Sequence, residues 1–275
     1  MSEIFSPEKI PQTIDRVAIV IPKYKDPTMT LALLTQSPIA AQVYDEAIRV
    51  LDQETVDRIV RVDNKDRDKV QMVSSGLLYN LGLLHHYLSS GDSTSKSQLR
   101  PALIFGQDMP SELSALVVAG AITFEDAVYI AYHADELKIN RQNFAGSAFK
   151  GNLASIQFQD EITTPVIPIA IRKPVTHGSE LRGALHVLFQ GVSDKTLPEM
   201  VEAAAEYELG ATGFIVVGQA DPYPISEQIR NLSMRYQAVE IRTIHDANRL
   251  PLDKVQSQFF PSRRQQNQIG IFPNI

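Results

Sequence analysis

Cysteine is absent from the chain. That absence removes disulfides, thiolate metal sites and a thiol nucleophile together, and it suits a reducing cytoplasm. Long hydrophobic runs are missing too. None approaches the roughly 20 apolar residues that a spanning helix needs, and the start, MSEIFSPEK, has no apolar stretch of signal-peptide length. The expectation is a cytoplasmic protein without a membrane partner. Excess positive charge is lacking as well: 26 basic residues against 32 acidic ones give a formal charge of -6, which offers little attraction to nucleic acid or an anionic membrane. What the chain does have is core material, 275 residues at 44% hydrophobic content, enough for one main domain and a small subdomain.

The most informative stretch is Pro101 to Asn140, PALIFGQDMPSELSALVVAGAITFEDAVYIAYHADELKIN. Ala102 to Phe105 is a short apolar run ended by Gly106 and reads as an interior strand. Gln107 to Pro110 form a turn, and Pro110 or Ser111 opens a helix with Leu113, Leu116, Val117 and Ala121 at helical spacing. Gly120 closes that helix, and a second begins at Thr123 with Glu125 and Asp126 in its first turn, where the helix dipole favours acids. A strand, turn and helix in this order puts backbone N–H groups and a turn side chain at the edge of a sheet, the geometry of a nucleophile elbow.

Elsewhere, RVAIVIP at Arg16 to Pro22 reads as a parallel strand buried on both faces. Ser37 and Pro38 start a helix as cap and first-turn residue, with Val43, Ala47, Val50 and Leu51 along one face. Asp57 to Lys69 reads as a solvated helix end and loop. Val70 to Leu88 carries an apolar stripe at Val73, Leu77, Leu81 and Leu84. His85 and His86 at its end point about 100° apart on a helix and do not share an ion, so no metal site is assigned. Leu153 to Phe158 and Val166 to Arg172 read as a hairpin with Asp160 to Thr164 between the strands. From Gly183 the order is strand ALHVLFQG, helix LPEMVEAAAEYELG, strand TGFIVVG, helix PISEQIRNLSMRYQ and strand AVEIRTI.

The run ELSALVVAGAITFEDAV, Glu112 to Val128, resembles the acyltransferase family typified by malonyl-CoA:acyl carrier protein transacylase, in which GHSLGExSALxxAGxxxFxDA surrounds a nucleophilic serine. SPIAAQVYDEAIRVL and the helix before the elbow strand also resemble family segments. The resemblance implies an α/β fold: an acyltransferase-like large domain with a parallel sheet and a nucleophile-elbow turn, plus a small ferredoxin-like α+β subdomain. The expected division is residues 1–145 for the large domain, 146–182 for an inserted strand-rich segment, 183–246 for the ferredoxin-like subdomain and 247–275 for a truncated return to the large domain. It implies fatty-acid or polyketide metabolism, a CoA or pantetheine thioester as ligand with no resident cofactor, and an acyl carrier protein or synthase subunit as partner. Arg172, Lys173, Arg263 and Arg264 are the basic residues that would meet an acidic carrier.

At the reactive positions the chain departs from that pattern. GHSLGE is replaced by GQDMPSE, so that Asp108 or Met109 stands where the serine belongs. The PGQGSQ turn after the first strand is replaced by Pro22, Lys23, Tyr24, Lys25 and Asp26. Ala134 takes the place of the arginine that pairs with the malonyl carboxylate, and alanine cannot form that bidentate fork. Pro251 falls on the histidine base. The expectation is a transacylase-like protein that is catalytically degenerate and serves as a binding or accessory component, with Gln107 and Met109 left to contact the thioester ligand. The alternative is an active acyltransferase or a thioester or ester hydrolase with a rebuilt site using Ser111 or Asp108, with His245 or His177 as base. The plain alternatives are structural: Ser111 and Asp108 as helix caps, and His245 and His177 as loop residues.

Overall fold

The computed structural model describes residues 13–61, 71–89, 100–139, 156–189, 196–207, 210–218, 224–251, 254–255 and 259. A single six-stranded sheet organises them. Its strands are β1 (Thr13–Ile21), β2 (Arg100–Gly106), β3 (Glu161–Val166), β4 (Val175–His177), β5 (Gly213–Val217) and β6 (Gln237–Ile241), in the order β4-β3-β2-β1-β5-β6. All neighbours are parallel except β3 and β4, which run antiparallel at one edge. The α/β class expected from the sequence is the one observed.

β1 sits at the centre because it can be buried on both faces. Val17, Ile19 and Ile21 belong to the apolar cluster on one side, while Ala18 and Val20 belong to the cluster on the other. Alternation on a pleated strand sends neighbours to opposite faces, so an uninterrupted apolar run is what a two-sided interior strand requires. The first face is covered by α1 (Met29–Gln36), α2 (Pro38–Val50), α3 (Gln53–Val60), α4 (Met72–Ser89), α5 (Met109–Val118) and α6 (Phe124–Ile139). The second is covered by α8 (Leu197–Glu206) and α9 (Ile225–Leu232). α7 (Gly178–Phe189) follows the edge strand β4, and α10 (Ile244–Arg249) follows β6.

Helix α4 is the hub of the first layer. The sequence suggests an apolar stripe, but every residue from Val73 to Tyr87 is buried, because α1, α2, α5, α6 and α10 surround it. Its N-terminus is held from another helix: the carboxylate of Asp135, on α6, accepts hydrogen bonds from the backbone N–H groups of Val73 (3.0 Å) and Ser74 (2.8 Å). Two of the orphan donors that begin any helix are thereby satisfied.

The structure corrects three expectations. ALHVLFQG is not a strand: residues 183–189 complete α7, whose Leu181, Ala184 and Leu185 are buried at helical spacing. The expected hairpin is displaced: Asp160 to Thr164, placed between its strands, falls largely within β3, with Ile162, Thr164 and Val166 facing inward, and residues 167–172, expected as the second strand, are turn and loop before β4. The part of the expected first strand at 153–155 lies outside the described residues. The third correction concerns the strands TGFIVVG and AVEIRTI, expected in the ferredoxin-like subdomain. β5 and β6 belong to the central sheet beside β1, and all five residues of β5 are buried, so this strand has neighbours on both sides and no sheet of its own to build.

Candidate functional site

The turn between β2 and α5 is the site the sequence singles out. Gly106 ends β2 because nothing larger fits: a Cβ there would lie 2.3 Å from the carbonyl carbon of Ser111 and 2.4 Å from the amide of Glu112. Gln107 continues the chain and its N–H donates to the carbonyl of Ile21 (3.1 Å), tying the turn to the end of β1. Asp108 is the N-cap of α5, extended at φ -150°, and its Oδ1 accepts from the Ser111 N–H at 3.0 Å. Its Oδ2 accepts from the N–H of Tyr24 at 2.9 Å. One carboxylate therefore caps a helix and anchors the loop after β1. No residue from 107 to 110 has a positive φ, so the turn passes without the left-handed strain that a nucleophile elbow uses to expose its side chain.

Ser111 lies in the first turn of α5 and has no solvent exposure. Its hydroxyl donates to the carbonyl of Pro22 (2.7 Å) and also faces Asp108 Oδ1 at very short range, while Asn80 Nδ2 donates to it at 3.4 Å. None of these partners is an imidazole. His245 is exposed on α10 and His177 is exposed at the end of β4. The loop assignment of His245 is corrected: Thr243 and Asp246 form a capping box that starts the helix one residue before it.

Burial shapes the electrostatics of the turn. Desolvation raises the Asp108 carboxyl above its ordinary 3.8, opposed by its hydrogen bonds to Ser111 and Tyr24 and by the charge of Lys23. The Tyr24 phenol is pushed up to about 12 by burial, and its hydroxyl is locked between Thr30 Oγ1 (2.5 Å) and Ser75 Oγ (2.9 Å). Glu112 is also buried and accepts from the N–H of Ile169 (2.9 Å), which fastens α5 to the chain after β3. Gln107 and Met109 are half-buried, and Met109 packs against the core cluster. Ala134 is buried on α6, and Pro251 accepts from the N–H groups of Lys254 and Val255. Arg172 pairs with Glu199 (2.8 Å) and Lys173 with Glu180 (2.9 Å); residues 263 and 264 lie outside the described residues.

Strand, turn, capped helix, glycine stop at Gly120 (φ +73°) and second helix thus stand as the sequence suggests. Solved structures share the overall fold. A malonyl-CoA:acyl carrier protein transacylase from Synechocystis superposes with a TM-score of 0.65 at 16% identity, over 86% of this chain and 100% of the other. The chain has the malonyl-CoA:acyl carrier protein transacylase fold. The Coxiella burnetii transacylase gives 0.65 at 15% identity over 90% of this chain and 99% of its own. A malonyl transacylase in complex with its type II polyketide synthase acyl carrier protein gives 0.64 at 15% identity, over 86% and 99%. No family model and no curated protein sequence matches the chain.

Within the transacylase fold, the sequence missed the residues that seal the turn. Asn80, Tyr24 and the Pro22 carbonyl converge on Asp108 and Ser111 from 31 to 89 positions away along the chain. The one available signal was Asn80 itself, an amide side chain in the middle of the apolar run from Leu77 to Leu84.

Proposed function

We propose that this protein is a transacylase-fold component of fatty-acid or polyketide metabolism that no longer transfers acyl groups at the turn and works by binding an acyl carrier protein or a synthase subunit. One observation carries the reading: the hydroxyl at the turn, Ser111, is fully buried and spends its proton on protein oxygens, while Asp108 caps a helix with both carboxylate oxygens engaged. Nucleophilic catalysis needs an attacking oxygen that a thioester can reach and a base within hydrogen-bond distance of it. Ser111 is closed to a thioester, and the carboxylate beside it, Asp108, is committed to capping α5 and holding the N–H of Tyr24. The alanine at position 134 and the proline at position 251 agree, since neither can bind a carboxylate or accept a proton.

A carrier-protein partner is supported by the transacylase of the same fold that was solved with its acyl carrier protein. Pantetheine carried on such a protein, or on coenzyme A, is the ligand class that follows. The test is to mix the full chain with holo-acyl carrier protein and malonyl-CoA and to follow both association and the mass of the carrier. The expected result is a complex without malonylation of the carrier. Malonyl transfer above the rate in buffer would contradict the loss of catalysis, and failure to associate would contradict the binding role.

A further inference from the structure

A second group of nucleophile-bearing residues lies away from the turn. Ser37 precedes α2, a helix of 13 residues, and its Oγ accepts from the backbone N–H groups of Ile39 (3.1 Å) and Ala40 (3.3 Å). Pro38 has no N–H, so these are the first two donors the helix has to offer. On its other side Ser37 Oγ lies 2.9 Å from His86 Nδ1, and His86 Nε2 lies 2.8 Å from Asn248 Oδ1 on α10. The amide oxygen can only accept, so Nε2 carries the ring proton and Nδ1 presents its lone pair to the serine. Ser37 O–H must then donate to Nδ1, because the backbone bonds already use its oxygen as an acceptor.

We propose that Ser37, His86 and Asn248 form a serine nucleophile, its general base and a positioning residue, with small activated esters as substrates. Three polar contacts satisfy the geometric requirements of such a unit: nucleophile to base, base to orienting group, and a nucleophile at a helix N-terminus where negative charge is favoured. A helix cap alone needs the two backbone bonds and no imidazole. Gln36, Pro38 and Asn248 are exposed, so the serine, itself 5% exposed, sits directly beneath the surface. His85, next to His86, bonds instead to Gln42 (3.0 Å), and burial lowers it to about 4, so it brings no positive charge to the base near neutral pH. Along α4, Asn80, which contacts Ser111, and His86 lie six positions apart, about 9 Å at the helical rise.

The reaction balances with these groups and water. Ser37 Oγ forms a bond to the ester carbonyl carbon as its proton passes to His86 Nδ1, and the carbonyl electron pair moves onto oxygen. When that pair returns, the bond to the leaving alcohol breaks and the alcohol takes the proton from His86. Water then attacks the acyl-serine, giving a proton to His86. Collapse releases the carboxylic acid, and the proton returns to Ser37.

The test uses the full-length protein, a fluorophosphonate probe and p-nitrophenyl acetate, read by intact mass, peptide mapping and release of nitrophenol. The expected result is one phosphonyl adduct, on Ser37, with fluoride lost. Ser37→Asn keeps a helix-capping side chain and abolishes both the adduct and the hydrolysis, while His86→Gln slows labelling roughly a hundredfold. Asn248→Asp preserves labelling by keeping an acceptor for Nε2–H, whereas Asn248→Leu slows it with an unchanged melting temperature. A wild-type protein left unlabelled at Ser37, or His86→Gln labelled at the wild-type rate, would overturn the proposal. The peptide that carries the adduct distinguishes this site from residues 107–112, so either proposal can fail without the other.

Discussion

A hydroxyl has one proton, and Ser111 faces two acceptors, the Pro22 carbonyl and Asp108 Oδ1. The conflict is relieved when Asp108 is protonated, because its O–H can then donate to Ser111 Oγ while the serine donates to Pro22. A half-buried carboxyl shifted upward by desolvation is in keeping with that arrangement. The folded state then binds the Asp108 proton more tightly than the unfolded chain does. The stability this group supplies is complete below the unfolded value, near 3.8, and is lost as pH rises through the higher folded value. Asp108→Asn still caps a helix but cannot ionise. Its melting temperature relative to wild type should therefore climb as pH rises from the ordinary value of 3.8 through the raised folded one; parallel curves would mean that Asp108 is not shifted upward. The capping role was legible in the sequence, since an aspartate before a helix is a standard cap. The contacts from Pro22 and Tyr24 were not, because nothing local links residues more than eighty positions apart.

The elements show where periodicity informs and where it stops. α2, α4, α5 and α6 were readable from apolar spacing, from Ser37 and Pro38 at one start and from Gly120 at one stop. ALHVLFQG misled because a short apolar run of this length suits a strand or a helix equally, and the decision came from burial of Leu181, Ala184 and Leu185 on one helical face. The cap of α4 was beyond local reading, because its carboxylate comes from Asp135, 62 residues on. Replacing that buried group leaves two amides without partners. Asp135→Ala should lower the free energy of unfolding by roughly 3 kcal/mol, measured by denaturant titration; a loss below about 0.5 kcal/mol would show that water or another side chain takes over.

At the scale of the whole molecule, the strand order and the two apolar layers are those of a doubly covered, mostly parallel sheet, and no helix among the described residues is long and apolar enough to cross a membrane. The sequence pointed to this architecture through one specific run, Glu112 to Val128. It misplaced the later strands because a run such as GFIVV states that a strand is buried but not which sheet receives it. Shared architecture leaves chemistry open, since function depends on the side chains at the site rather than on the frame. The deciding measurement is made at the turn: treat the full chain with malonyl-CoA, digest it and weigh the peptide containing residues 107–112. An unmodified peptide at every time point is expected. A malonyl group on Asp108 or Ser111 that forms and then passes to an acyl carrier protein would contradict the claim that this turn no longer transfers acyl groups.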